Sequence, residues 1–191
     1  MISHRAGTIG VTLLAAAGVV VAASCADRVE PTQPRIDATH IHVAAKRSGT
    51  PVADLGPRLA ELRRAVARFH DFESAHAAGY TMQITPCMED ATRGGMGYHY
   101  AKGELIDGVV GEGRPEVLLY EPQGNGRLRF VGVEFIIPFT AWTSAEPPVL
   151  YGQTLARNLT FQVWALHVWV GRENPTGIFS DWNPKVTCDN A

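Results

Sequence analysis

The chain has no surplus of charge in either direction. Its 17 Lys and Arg stand against 19 Asp and Glu, a formal net charge of −2 over 191 residues. A domain without a basic excess lacks the electrostatic footprint of a nucleic-acid binder, so that class of partner is set aside. Cysteine is scarce too, with only Cys25, Cys87 and Cys188, too few for a small scaffold held mainly by disulfides. No internal repeat or low-complexity tract appears, which excludes solenoid and array architectures. Long apolar runs are limited to one stretch, at the start of the chain.

That stretch, Ala6–Ala23 (AGTIGVTLLAAAGVVVAA), follows a basic start at Arg5 and ends in small residues. A basic beginning, an apolar stretch and a small-residue exit predict a secretory signal peptide over residues 1–24. An uncleaved anchor is the alternative, since an apolar run of about 18 residues can just span a bilayer. The run is rich in Ala and Gly and lacks flanking aromatic residues, which favours cleavage. Ala22-Ala23-Ser24-Cys25 resembles the lipobox of bacterial lipoproteins, in which the Cys is lipidated, although Ala22 stands where that box prefers Leu. Lipidation of Cys25 would leave Cys87 and Cys188 as a pair in an oxidising compartment. Cleavage after Ala23 or Ala26 by an ordinary signal peptidase is the other route, and implies a secreted protein. The first reading predicts an exported, envelope-attached lipoprotein whose partner is the membrane.

Residues 25–52 are polar, contain proline and show no sustained period, which predicts a tether. His40 and His42 fall within it. Residues 53–191 suffice for one ordinary core, and a single globular domain is expected there.

Within the domain, Leu55, Leu59, Leu62, Val66 and Phe69 recur at steps of three and four, predicting one long helix over Leu55–Ala78. Asp54 is placed to cap it, Pro57 lies in its first turn and Gly79 can end it in the left-handed conformation. Strand-like segments follow at 80–85, 96–101, 116–120, 127–137 and 161–170. The turn Gln123-Gly124-Asn125-Gly126 predicts a hairpin between the third and fourth of these. Segment 138–160 reads as a lid or a wall, and the turn-rich 171–183, with Ile178, Phe179 and Trp182, should lie on the body. One helix followed by strands predicts an α+β fold: a long N-terminal helix packed on a curved antiparallel sheet or partial β-barrel, with a jelly-roll-like barrel as alternative.

Polar residues sit where a bland core would not place them. His99 lies between Tyr98 and Tyr100, Glu134 between Val133 and Phe135, and His167 between Leu166 and Val168, each in mid-strand. A carboxylate in such a run is costly unless it meets a cation, a metal or several donors. Convergence of the three on one concave face would make a set that binds zinc, non-haem iron or copper with open positions. Without metal the trio could do acid–base work or bind a polar ligand, or simply satisfy its own members. Projected at 100° per residue, Glu73 and His76 fall on the apolar side of the helix, one turn apart, and would approach the same site. The alternative leaves both in solvent.

Other patterns carry less. Gly94-Gly95-Met96-Gly97 precedes a strand, not a helix N-terminus, so it is no phosphate loop. Asn158-Leu159-Thr160 matches a glycosylation sequon that means little in a bacterial export context. Trp142, Trp164, Trp169 and Trp182 are expected mostly in the core, some along a pocket.

Together GGMGYHY, RPEVLLYEP, FVGVEFIIP, WALHVWV and NPTGIFSDWNPKVTC resemble a group of secreted, lipoprotein-like bacterial proteins with no known activity. The resemblance spans roughly Phe69–Cys188 and implies a self-contained domain, without implying a chemistry. Cupin-type enzymes are not indicated, because MGYHYA lacks their HxH pair. The resulting expectation is an envelope lipoprotein with a polar pocket able to hold a divalent metal and a small ligand. The alternatives are an acid–base or metal-assisted hydrolase or isomerase, and an interaction module.

Overall fold

The structure, a computed structural model, describes residues 54–191. The expected signal peptide, Cys25, the tether and His40 and His42 lie outside the described residues. No helix among the described residues is long and apolar enough to cross a membrane.

The predicted long helix is two short ones. Helix α1, Leu55–Val66, turns Leu59, Leu62 and Val66 inward. A 3₁₀ turn, Ala67–His70, buries Phe69, and α2 runs Phe72–Ala77. Between them Asp71 is extended, at φ −91° and ψ 116°, and its side chain accepts from the Ser74 N–H at 3.0 Å. An Asp that can cap a new helix competes with continuing the old one, and here capping wins. Asp54 makes no side-chain capping bond to α1, contrary to expectation. Gly79 does end α2 in the left-handed conformation, at φ 98°.

The sheet is antiparallel throughout. Its strands are β1 (Met82–Gln83), β2 (Met88–Asp90), β3 (Gly94–Ala101), β4 (Val117–Pro122), β5 (Leu128–Pro138), β8 (Ala156–Asn158) and β9 (Val163–Val168). The order is β1-β3-β4-β5-β9-β8, with β2 also paired to β3, while β6 (Val149–Leu150) and β7 (Gln153–Thr154) form a separate small hairpin. The β4–β5 hairpin turns through Gln123–Gly126 as predicted, with Gln123 N–H donating to Arg127 O. The sheet ends at β1 and β8, which do not pair, so among the described residues neither a closed barrel nor a jelly roll forms.

Both faces of the sheet are covered. One packs Leu118, Tyr120, Phe130, Val133, Phe135, Leu166 and Val168 against Leu59, Leu62, Val66 and Phe69 of the helical segment. Leu150, Tyr151 and Leu155 join this cluster, so most of 138–160 is a wall on the helix side. On the other face Ala101, Val117, Leu119, Val131, Ile136, Ala165 and Trp169 pack with Val186 of the C-terminal segment. A strand covered on both faces reads as a continuous apolar run, not an alternating one. That explains FVGVEFII in β5.

The C-terminal segment is held closely. Gly94, at φ 88°, leaves room for Asn183 O, which a Cβ would meet at 2.3 Å. Gly97, at φ 80°, does the same for Tyr120 O, also at 2.3 Å. The Gly-rich run therefore serves close backbone approach. Cys188 is joined to Cys87 with Cα atoms 5.9 Å apart, and its N–H donates to Glu89 at 2.8 Å. Glu121 accepts from the Thr187 N–H and pairs with Arg172 at 3.0 Å.

Cys188→Ser should cost roughly 2 to 5 kcal/mol, since the bridge closes a loop of 101 residues. Denaturant unfolding with and without reductant checks this, and an unchanged midpoint would refute the staple. A second expectation concerns Glu116, which is 2% exposed and accepts from the Ile136 N–H at 3.1 Å. Burial pushes its carboxyl from 4.5 to about 8. Below pH 4.5 folded and unfolded chains are both protonated there. Between pH 4.5 and about 8 only the folded chain keeps the proton, so Glu116 erodes stability as pH rises, by about 1.4 kcal/mol per unit. Glu116→Gln should match the wild type near pH 4 and exceed it by a few kcal/mol above pH 8. Urea melts across that range give the answer.

Candidate metal centre

His99 on β3, Glu134 on β5 and His167 on β9 project from the same face, the one the C-terminal segment covers. Register explains how. Glu134 and His167 are direct cross-strand partners. Val117 of β4 faces Glu134, and Leu119 faces His99, so His99 reaches Glu134 across β4. All three are buried, at 4%, 6% and 3% exposure.

The ring nitrogens and carboxylate oxygens converge. His99 Nε2 lies 3.5 Å from His167 Nε2, and the two imidazoles meet edge to face at 83°. Glu134 Oε2 is 3.7 Å from His99 Nε2, and its Oε1 is 3.8 Å from His167 Nε2. One ligand atom from each residue can be chosen so that all lie within 4.8 Å of one another. The carboxylate separations exceed the 2.7–3.2 Å of a direct hydrogen bond. Donors sharing a tetrahedral ion at bonds of about 2.0–2.1 Å sit about 3.3–3.4 Å apart. The spacing is therefore closer to that of ligands around a common ion than to that of directly bonded groups.

The other nitrogen of each imidazole faces a polar side chain, hydrogen-bonded in His99 and at ion-pair distance in His167. Thr85 Oγ1 is 2.8 Å from His99 Nδ1, and Asp181 Oδ1 is 3.5 Å from His167 Nδ1. The Thr85 hydroxyl aims the His99 Nε2 inward, while the Asp181 carboxylate acts on His167 through charge across 3.5 Å. Trp169 lies nearly parallel to the His167 ring, at 13°. Burial raises the Glu134 carboxyl above the ordinary range; His167 opposes the rise and Asp181 adds to it. For His167, burial alone would lower proton affinity, but the facing carboxylates of Glu134 and Asp181 outweigh it and raise it.

The three residues sit on a cavity of about 220 Å³. Its walls are otherwise largely apolar, including Met88, Met96, Ile106, Ile136, Phe161 and Val163, and no Lys or Arg lines it. A three-donor set of this composition leaves coordination positions open toward that space.

Glu73 and His76 do not join. Both are exposed on α2, and α2 packs through Phe72 onto Tyr100 and Tyr120, on the helix side of the sheet. The expectation failed because the extended Asp71 and the 3₁₀ turn reset the helical phase. Phe72 and Ala75 face inward instead. Sequence reasoning also passed over Thr85 and Asp181. Thr85 closes a strand-like segment and Asp181 lies in a turn-rich tail, and neither context signals a role. Asn158 of the sequon accepts from the Thr160 and Phe161 N–H groups at 3.1 Å each, holding the turn at the cavity's edge.

No family model, no curated protein and no solved structure matches the chain. The site's geometry is therefore the ground for a functional reading.

Thr85→Val should leave His99 Nδ1 buried without its hydroxyl partner. The expected loss is about 1 to 3 kcal/mol in chelator-treated protein. Equilibrium unfolding measures it, and a neutral result would mean that the hydroxyl does not hold the ring.

Proposed function

We propose that the protein is an exported, envelope-attached domain. It holds a divalent transition metal through His99, Glu134 and His167, and binds a small ligand at the metal's open position. The convergence of two imidazole Nε2 atoms and one carboxylate at the cavity carries this reading. The donor set suits zinc, non-haem iron or copper. Bound zinc or iron would supply Lewis acidity and an acidified water, so metal-assisted hydrolysis is the reaction class within reach. The chain's own residues bind and aim: Thr85 orients the His99 imidazole, Asp181 places a second carboxylate beside His167, and the apolar walls restrict water.

Support for export comes from the Cys87–Cys188 bridge, which is at home in an oxidising compartment. The uncharged run Ala6–Ala23 and Ala-Ala-Ser-Cys25 point the same way. Lipidation at Cys25 would attach the domain to a membrane through the tether and leave the two bridged cysteines as the only pair.

Purified protein should retain one equivalent of metal after mild dialysis, by elemental analysis. Chelator should lower its melting temperature, because a ligand at 100 times its Kd stabilises by about 2.7 kcal/mol. His167→Ala should abolish binding, and Asp181→Asn should weaken it about 10- to 100-fold while the fold stays intact. Metal-free protein that melts identically in chelator would sink the reading and leave a polar network or a metal-free acid–base site.

A further inference from the structure

Resting on the metal-centre reading, we infer the class of ligand. The geometry points to a small molecule with one compact coordinating head and an uncharged, apolar body of about six carbons. Its head meets the metal and its body lies along the cavity.

The size argument comes first. The cavity holds about 220 Å³, whereas an apolar cavity of about 150 Å³ already admits benzene. A six-carbon body with a small head fits, and a nucleotide or a disaccharide does not. Chemistry narrows it further. The ionisable side chains lining the cavity are those of the triad alone, and no Lys or Arg stands there to pair with an anion. Thr85 is engaged by His99, and the Asn158 side-chain Oδ1 accepts from two backbone N–H groups. A ligand rich in hydroxyls or charges would have to bury them against Met88, Met96, Ile106, Ile136 and Val163, which offer nothing to receive them. The two methionines give the wall the adaptability to take a flexible chain. The outer end agrees. Ile84 and Phe161 line the cavity yet are 37% and 49% exposed, so an apolar rim marks its opening. Apolar side chains left in solvent beside an apolar chamber suit entry of an apolar body.

The test uses protein loaded with Co(II), whose own binding is measured first. Unbranched aliphatic hydroxamates from two to eight carbons are then titrated by calorimetry and by the metal's absorption spectrum. Affinity should rise about fourfold per methylene until the chamber fills at about six carbons, then level off. A six-carbon hydroxamate ending in a carboxylate should bind at least tenfold more weakly than its neutral counterpart. Ile106→Trp, which fills the chamber from a loop, should remove the chain-length dependence without changing the metal's Kd or the two-carbon affinity. Val163→Phe serves if that variant does not fold. Metal binding with a flat chain-length series, or equal affinity for the charged ligand, overturns this inference and leaves the metal centre standing. Failure to bind Co(II) or other divalent ions removes the centre and this inference together.

Discussion

A carboxylate in the middle of a strand covered on both faces is the constraint around which this domain is arranged. Glu134 has Val133 and Phe135 beside it in the chain, packed toward the helices, while its own side chain points to the opposite, equally covered face. Leaving such a group ionised and alone would cost several kcal/mol. The structure answers with two imidazoles at 3.7 and 3.8 Å and a second carboxylate, Asp181, behind one of them. This arrangement concentrates negative potential and Nε2 donors in one small volume. A core built for stability alone would more cheaply place an apolar residue there. The three side chains could hold a metal ion.

The two faces of the sheet divide the labour. Helices α1 and α2 and the β6–β7 wall seal one side with aliphatic and aromatic packing, and that side carries most of the core. On the other side the C-terminal segment, returned by the Cys87–Cys188 bridge, covers part of the face and delivers Asp181. The same segment needs Gly94 for its approach. Closure, cavity and outer ligand support thus depend on a stretch with little regular structure of its own. The covalent tie adds to the turn and side-chain hydrogen bonds that already hold this segment, among them Asn183 N–H to Gly95 O and Thr187 N–H to Glu121.

Much of this was legible in the chain. The helical stripe from Leu59 to Phe69, the hairpin at Gln123–Gly126 and the strand segments of β3, β4, β5 and β9 all follow from periodicity and turn chemistry. His99, Glu134 and His167 stood out because a polar residue inside a continuous apolar run has few innocent explanations. Glu73 and His76 were misread for an instructive reason. A 100° projection assumes an unbroken helix, and Asp71 broke it by capping α2. Thr85 and Asp181 left no pattern, because a supporting hydroxyl or carboxylate in a loop looks like any other polar loop residue.

Periodicity and local hydrogen-bonding preference are properties of neighbours along the chain, and those alone placed β1, β3, β4, β5 and β9, the turn and the three mid-strand ionisable residues, while the short strands β2, β6, β7 and β8 left no pattern. Convergence is different. Whether His99 meets Glu134 across β4 depends on strand order, on register and on the bulge between Leu119 and Tyr120. None of these is encoded in any one segment. A shift of one residue in any of the three strands would have turned its polar side chain to the helix face, so the site itself was decided only when the sheet assembled.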